Sequence, residues 1–149
     1  GLTHDERGYP RMDPEVQERL VRRLNDKIRL HADEIIEIDT LMMDDAEIAI
    51  VAFGSEVRPA TRAVKLARKN NIKAGLIDLK TIWPFPDNFF KDIANEINTF
   101  VVAEINYGQI VREVKRAVGD KANVLLLPKM GGSLHTPEEI LDFMKREAI

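Results

Sequence analysis

Two apolar, strand-length runs joined by a single amphipathic helix constrain this chain more than any other feature. Residues 46–57 read AEIAIVAFGSEV, and residues 73–86 read KAGLIDLKTIWPFP. Between them Val57, Ala60, Val64 and Ala67 recur at helical spacing, leaving no room for a further element. A strand that closes on Gly-Ser and opens a helix offers its surface at the carboxyl end of a sheet. The pattern continues with strand-like runs at 100–105 and 123–128. Helical stripes follow the later strands: Phe89, Phe90, Ile93 and Ile97, then Ile110, Val114, Ala117 and Val118, then Ile140, Leu141 and Met144. Thr136-Pro137-Glu138-Glu139 marks the last helix start as a capping box with Pro at its first position. Strands alternating with helices at this length predict an α/β fold. It has three layers, αβα, around a mostly parallel sheet of about four or five strands.

The first 45 residues lack this rhythm. Residues 1–12, GLTHDERGYPRM, show no period and read as a loop or extended lead-in. Asp13-Pro14-Glu15 starts a helix, with Asp13 as its cap. Val16, Leu20, Val21, Leu24 and Ile28 stripe that helix to about residue 31, with Arg22, Arg23 and Lys27 on another face. Residues 35–45, IIEIDTLMMDD, read as a connection. The predicted organisation is a lead-in loop and linker helix over 1–45 and an α/β domain over 46–149. The chain begins at Gly1 rather than methionine, which suggests a fragment or processed product.

Composition removes several functions. The 149 residues suit one compact domain and contain no cysteine, so this chain supplies no disulfide, thiolate zinc site, cysteine nucleophile or iron–sulfur ligand. A reducing compartment fits, and a cytoplasmic location is expected. The 22 basic and 25 acidic residues are interspersed and sum to −3, without the one-signed patch that binds nucleic acid. The longest apolar stretch is far short of a membrane span, and no signal peptide is recognisable.

Candidate functional residues cluster after the strands. Gly54-Ser55-Glu56 offers a tight turn and a cap at Ser55, or an anion or partner contact at a helix start. Neither a dinucleotide fingerprint nor a Walker A loop is present. Asn106-Tyr107-Gly108-Gln109 combines a helix cap at Asn106 with side chains suited to a ligand or subunit contact. Trp83-Pro84-Phe85-Pro86 is either core packing under a loop or a hydrophobic anchor at an interface. Gly131-Gly132-Ser133-Leu134-His135 reads as a flexible loop with an exposed histidine. His4-Asp5-Glu6-Arg7 is dense and polar. Alternating directions along an extended segment prevent all four from chelating one metal, so it reads as a hydrogen-bonded docking segment. No nucleophile triad or carboxylate pair follows from spacing. Catalytic, cofactor-binding and metal-ligating roles are therefore assigned to none of these residues.

AFGSEV, LIDLKTIWPFP, VVAEINYGQIVREV and the GG…TPEEI ending together resemble the transketolase C-terminal-like domain of thiamine-diphosphate enzymes. The WPFP exit and NYGQ turn are similar to those of the alpha subunit of 2-oxoacid:ferredoxin oxidoreductases of the 2-oxoglutarate type. The GLTHDERGYP lead-in and the helix after it resemble the segment that joins an upstream pyrimidine-binding domain to this one. The resemblance implies oxidative decarboxylation of a 2-oxoacid to acyl-CoA, with thiamine diphosphate, magnesium, coenzyme A and an iron–sulfur cluster in the full complex. It implies a thiamine-diphosphate-binding beta subunit as partner and ferredoxin as electron acceptor. This chain lacks the GDG…N motif that holds the diphosphate, so its implied role is a scaffold at subunit interfaces. Sister thiamine enzymes, transketolase or a 2-oxoacid dehydrogenase beta subunit, are the alternative. They usually carry Lys-Pro-Leu-Asp where this chain has Trp-Pro-Phe-Pro. A free-standing, non-catalytic α/β binding module is the reading from another class.

The missing diphosphate motif generates a first prediction. The 149-residue chain alone should show no oxidoreductase activity and no micromolar affinity for thiamine diphosphate with magnesium. Titration calorimetry that finds micromolar binding would refute this.

Overall fold

The computed structural model describes residues 3–148; Gly1, Leu2 and Ile149 lie outside it, and with them the reading attached to Gly1. The chain forms two compact units, one ending at Ile36 and the other beginning at Glu37.

In the first unit, residues 4–10 of the lead-in form a loop that closes as a hairpin-like turn. His4 and Pro10 form an antiparallel bridge, and the Asp5 amide donates to the Tyr9 carbonyl at 2.9 Å. The Asp5 carboxylate accepts from the amides of Arg7 and Tyr9, so its side chain is spent on the turn. Helix α1 (Pro14–Arg29) follows, with Pro14 in its first turn, and α2 (Ala32–Ile35) is a short turn after it. Asp13 does not cap α1 through its side chain. Arg11 holds that carboxylate at 2.8 Å instead and keeps its pKa below the ordinary value.

The second unit is a five-stranded sheet between two helical layers. Its strands are β1 (Ile38–Leu41), β2 (Ile48–Ala52), β3 (Ala74–Leu79), β4 (Thr99–Glu104) and β5 (Asn123–Pro128), in the order β1-β3-β2-β4-β5. All pairings are parallel except β1 with β3. Every residue of β2, β3 and β4 is buried, which is why these strands read as continuous rather than alternating apolar runs. Helices α3 (Val57–Lys69) and α6 (Pro137–Phe143) cover one face; α4 (Asp87–Ile93) and α5 (Ile110–Val118) cover the other. Ala60, Ala63 and Ala67 let α3 lie close against Ile50, Leu76 and Val101 on the first face. On the other face Phe90 is fully buried, stacked on Phe85 with ring centroids 5.2 Å apart and 5.9 Å from Phe100. Truncating such a residue costs about 3–5 kcal/mol.

The expected connection over 35–45 is corrected: it contains β1. Ile38 pairs with Leu79 and Leu41 with Leu76. The strand escaped the pattern because it is short, lies at an edge and alternates with acidic residues. Two ionic devices fix it. Asp39 and Asp78 are cross-strand neighbours, and Lys80 bridges both, with its ammonium pKa raised by the Asp78 hydrogen bond first and by Asp39 next. At the other end, Arg68 of α3 donates to the carbonyls of Ala74 and Met42 and pairs with Asp45 at 2.7 Å. The α/β unit therefore begins nine residues earlier than the expected Ala46, at Glu37.

A truncated chain of residues 37–149 should unfold cooperatively with intact near-UV circular dichroism. A chain of residues 46–149 loses β1, bares the hydrogen-bonding edge of the apolar β3 and strips Arg68 of two partners. Losing these bonds should cost about 3 kcal/mol and favour aggregation. Equal melting temperatures for the two truncations would contradict this.

Candidate functional site at the carboxyl edge of the sheet

The strand order puts β2 at the centre, with β3 to one side and β4 to the other. The direction of strand addition thus reverses between β2 and β4, where open α/β sheets gather ligands and partners. Loops 53–56 and 105–109 flank that point, and loops 80–86 and 129–135 extend the same edge. The four loops singled out in the sequence thus share one end of the sheet.

Glu104, the last residue of β4, organises this edge. Its carboxylate is fully buried and accepts three backbone N–H groups at the start of α5. Gln109 and Ile110 donate to Oε2 at 3.0 and 2.9 Å, and Val111 to Oε1 at 2.8 Å. These are donors that a helix start otherwise leaves unsatisfied, and the dipole there favours a negative charge. The helix-cap role expected of Asn106 falls to Glu104. Asn106 Oδ1 accepts from the Gly108 amide at 2.8 Å, closing a local turn. Gly108 has φ +94°, a backbone conformation that strains any residue with a Cβ, and a Cβ there would also press on Leu126 Cδ2 at 2.9 Å. The signal for Glu104 was a lone carboxylate ending the otherwise uncharged strand TFVVAE.

A second buried carboxylate joins two loops. Glu56 and His135 both have side chains 2% exposed, with Nδ1 of His135 2.9 Å from Glu56 Oε2. The His135 amide donates to Oε1 at 3.1 Å. Glu56 sits at the amino end of α3, where a negative charge is favoured. The carboxylate calls for N–H on Nδ1 of the ring; Nε2 is buried without a partner. The expectation of an exposed histidine in a flexible loop is therefore corrected: partners 79 residues apart bury it. Loop 129–135 is held at its other end too. Lys129 Nζ donates to Glu139 Oε2 at 2.7 Å, inside the capping box that Thr136 and Glu139 complete. Lys129 first, and the Thr136 amide second, keep the Glu139 carboxyl below its ordinary pKa.

The remaining candidates are exposed. Ser55 lies in a 3-10 turn, Gly54–Glu56, and caps nothing, because α3 starts after it and has no side-chain cap. The WPFP motif divides: Phe85 is buried in the aromatic cluster, whereas Trp83 is 69% exposed. Tyr107 is 79% exposed, and Gln109 is exposed beside it. Ile82, Ile105, Met130 and Leu134 are also exposed at this edge. Among the described residues of this unit, the other exposed large apolar side chain is Met42, near the opposite end of the sheet. Charge is scarce at the edge. Loops 53–56, 80–86, 105–109 and 129–135 contain three Lys, Arg, Asp or Glu residues, Glu56, Lys80 and Lys129. The first is buried and the other two are ion-paired. Among the described residues no three His, Asp or Glu side chains are placed to hold a metal ion.

In the lead-in, the structure spends Asp5 on its turn and ties His4 Nδ1 to the Asp5 carbonyl at 2.8 Å. His4, Glu6 and Arg7 are exposed.

Replacing Glu104 with Gln keeps one acceptor oxygen but turns an amide donor toward backbone N–H groups. The variant should lose about 1–3 kcal/mol, and Glu104→Ala, which orphans all three donors, about 3–5 kcal/mol. Denaturant melts that place both within 0.5 kcal/mol of the parent would show that the carboxylate does not organise α5.

Residues 46–140 match the family model described as pyruvate:ferredoxin oxidoreductase core domain II. The 2-oxoglutarate synthase subunit KorA of Methanothermobacter marburgensis is 45% identical over 143 residues, covering 95% of this chain and 38% of that subunit. The 2-oxoglutarate:ferredoxin oxidoreductase of Magnetococcus marinus, solved with 2-oxoglutarate, coenzyme A and succinyl-CoA bound, superposes with a TM-score of 0.86. Its identity is 23%, over 99% of this chain and 26% of that one. A split-gene transketolase, solved as an inactive β4 tetramer, shares the fold at a TM-score of 0.63 and 17% identity, over 74% of this chain and 40% of that one. The chain spans about two fifths of the length of the curated relatives that it matches first. On the family match and the near-complete alignment to a relative of this identity, the chain belongs to the pyruvate:ferredoxin oxidoreductase core domain II family.

Proposed function

We propose that this chain is a scaffold and subunit-interface domain of a thiamine-diphosphate-dependent 2-oxoacid:ferredoxin oxidoreductase, acting in the cytoplasm. Such an enzyme decarboxylates a 2-oxoacid oxidatively to acyl-CoA and reduces ferredoxin. Family membership and the 2-oxoglutarate synthase relative support the enzyme class. The observation that carries the interface role is the composition of the carboxyl edge. Trp83, Tyr107, Met130 and neighbouring aliphatics are exposed there, and the charged side chains of the four loops themselves are buried or ion-paired. Aromatic and Met enrichment with charge depletion is the composition of the core of a protein–protein interface.

The residues present do not fit a diphosphate. The helix start beside the switch point is filled by the Glu104 carboxylate, and that of α6 by its own capping box. The chain has no cysteine for a cluster. No catalytic step is assigned to it. Thiamine diphosphate, magnesium, coenzyme A and the iron–sulfur cluster belong, on this reading, to other parts of the assembly. The edge faces a pyrimidine-binding domain or the thiamine-diphosphate-binding beta subunit, and ferredoxin serves the enzyme as a whole. The exposed His4, Glu6 and Arg7 form a second docking segment, shaped by Asp5.

Trp83→Ala and Tyr107→Ala should leave the melting temperature of the chain within about 2 °C while weakening assembly of the complete enzyme by about 2 kcal/mol or more. Phe85→Ala, in the aromatic cluster, should instead cost about 3–5 kcal/mol of folding stability. If the Trp83 and Tyr107 variants lose fold stability and the surviving protein assembles normally, the interface reading fails.

A further inference from the structure

The solvent face of α3 is positive along its length. Arg58, Arg62, Lys65 and Lys69 are all exposed. At about 100° per residue they fall within about 60° of arc, opposite the buried Ala60, Ala63 and Ala67. The row they form is about 16 Å long. The helix, VRPATRAVKLARK, contains no Asp or Glu. Among the described residues none of the four side chains has an ion-pair or hydrogen-bond partner, whereas Arg68, on the flank, is held by Asp45. Elsewhere Arg22, Lys73, Lys80 and Arg116 each take a carboxylate.

The row works against the helix that bears it. Like charges three and four residues apart repel, and Arg58 in the first turn opposes the helix dipole. The packing of α3 comes from its inner face, where its apolar residues meet the sheet. A solvated face needs charge, but it does not need charge of one sign.

Position and composition narrow what the row meets. It begins in the turn after Gly54-Ser55-Glu56, at the carboxyl edge, and runs away from it along α3. The edge loops have the composition of an interface core, and a charged row beside them has that of a rim. A membrane surface is disfavoured, because the apolar side of α3 is spent on the core. Nucleic acid is disfavoured too. Four cations fall short of the roughly 6–10 phosphate contacts of a duplex binder, and α3 has no aromatic residue to stack on a base. Negative charge also bounds the row. Helix α6, packed beside α3, exposes Glu138 and Asp142, and Asp44 is exposed next to the Asp45 that Arg68 holds. Such borders repel an extended polyanion and suit a compact acidic patch on a folded protein.

We propose that Arg58, Arg62, Lys65 and Lys69 form a docking rim for a compact acidic surface of the subunit seated on the carboxyl edge, and that their charge sets how fast that subunit associates. The proposal rests on the interface reading and adds the chemistry of the partner. A rim charge acts on the encounter, through steering that salt screens, whereas a buried anchor acts on dissociation.

Reassembly of the complete enzyme, followed in real time, separates the two. At about 50 mM salt the double variant Arg62→Gln/Lys65→Gln should associate about tenfold more slowly than the parent, with dissociation unchanged and a shallower dependence on salt. At about 0.5 M salt the two rates should converge. Trp83→Ala should instead speed dissociation and leave association near the parent rate. Glutamine keeps the helix propensity and relieves repulsion, so the melting temperature of the double variant should equal or exceed that of the parent. In the parent, Lys65 should be acetylated readily in the chain alone and protected in the complete enzyme. Parent-like association and salt dependence in the double variant, or equal reactivity of Lys65 in both states, overturns the rim. So does a melting temperature lowered by more than about 3 °C, which would give the row a role in the fold. Binding of the parent to duplex DNA or phosphatidylserine vesicles that the double variant loses, with assembly kinetics unaltered, also overturns it. The rim fails alone if Trp83→Ala speeds dissociation while the double variant behaves as the parent. If Trp83→Ala is also without effect, the interface reading beneath it fails.

Discussion

A carboxylate removed from water must be met by donors, and the way Glu104 is met sets the form of the whole carboxyl edge. Its two oxygens take three N–H groups of the first turn of α5, so strand β4 and that helix are joined at the switch point without an intervening ligand. The anion that a helix start attracts is built into the chain. Glu56 repeats the device between α3 and the loop after β5. With these charges internal, and Lys80 and Lys129 spent on ion pairs, the four edge loops expose aromatic and aliphatic side chains and carry no free charge, while Arg58 and Arg112 stand exposed in the first turns of α3 and α5 beside them.

This arrangement connects fold to role. In many open α/β sheets the switch point is where a phosphate or cofactor is held. Here the same position is filled from within, and what remains outside is suited to another protein surface. The rigid core beneath, with its alanine-lined α3 and Phe90 aromatic cluster, keeps the edge loops in fixed relation to each other.

The parallel strands and their helices were legible in the sequence because burial on both faces writes itself as local apolar runs and helical stripes. Thr136 and Glu139 were legible as a capping box because all its bonds lie within four residues. What escaped depended on partners in a different element of the fold. β1 is a strand because β3 offers it an edge, and nothing within IIEIDTL announces that. His135 read as an exposed loop residue because its partner lies at Glu56. Asn106 read as a cap because the residue that caps α5 sits upstream, at the end of a strand. The Trp-Pro-Phe-Pro exit left core and interface readings open, and the structure divides them between Phe85 and Trp83.

The central claim is that the carboxyl edge is the buried side of this domain in its enzyme. Oxidative footprinting of the chain alone and within the purified complex tests it directly, with mass spectrometry reading Trp83, Tyr107, Met130 and Met42. All four are exposed in the chain alone. The account predicts strong protection of Trp83, Tyr107 and Met130 on assembly, with Met42, near the other end of the sheet, modified as before. Protection of Met42 with Trp83, Tyr107 and Met130 still reactive would contradict it.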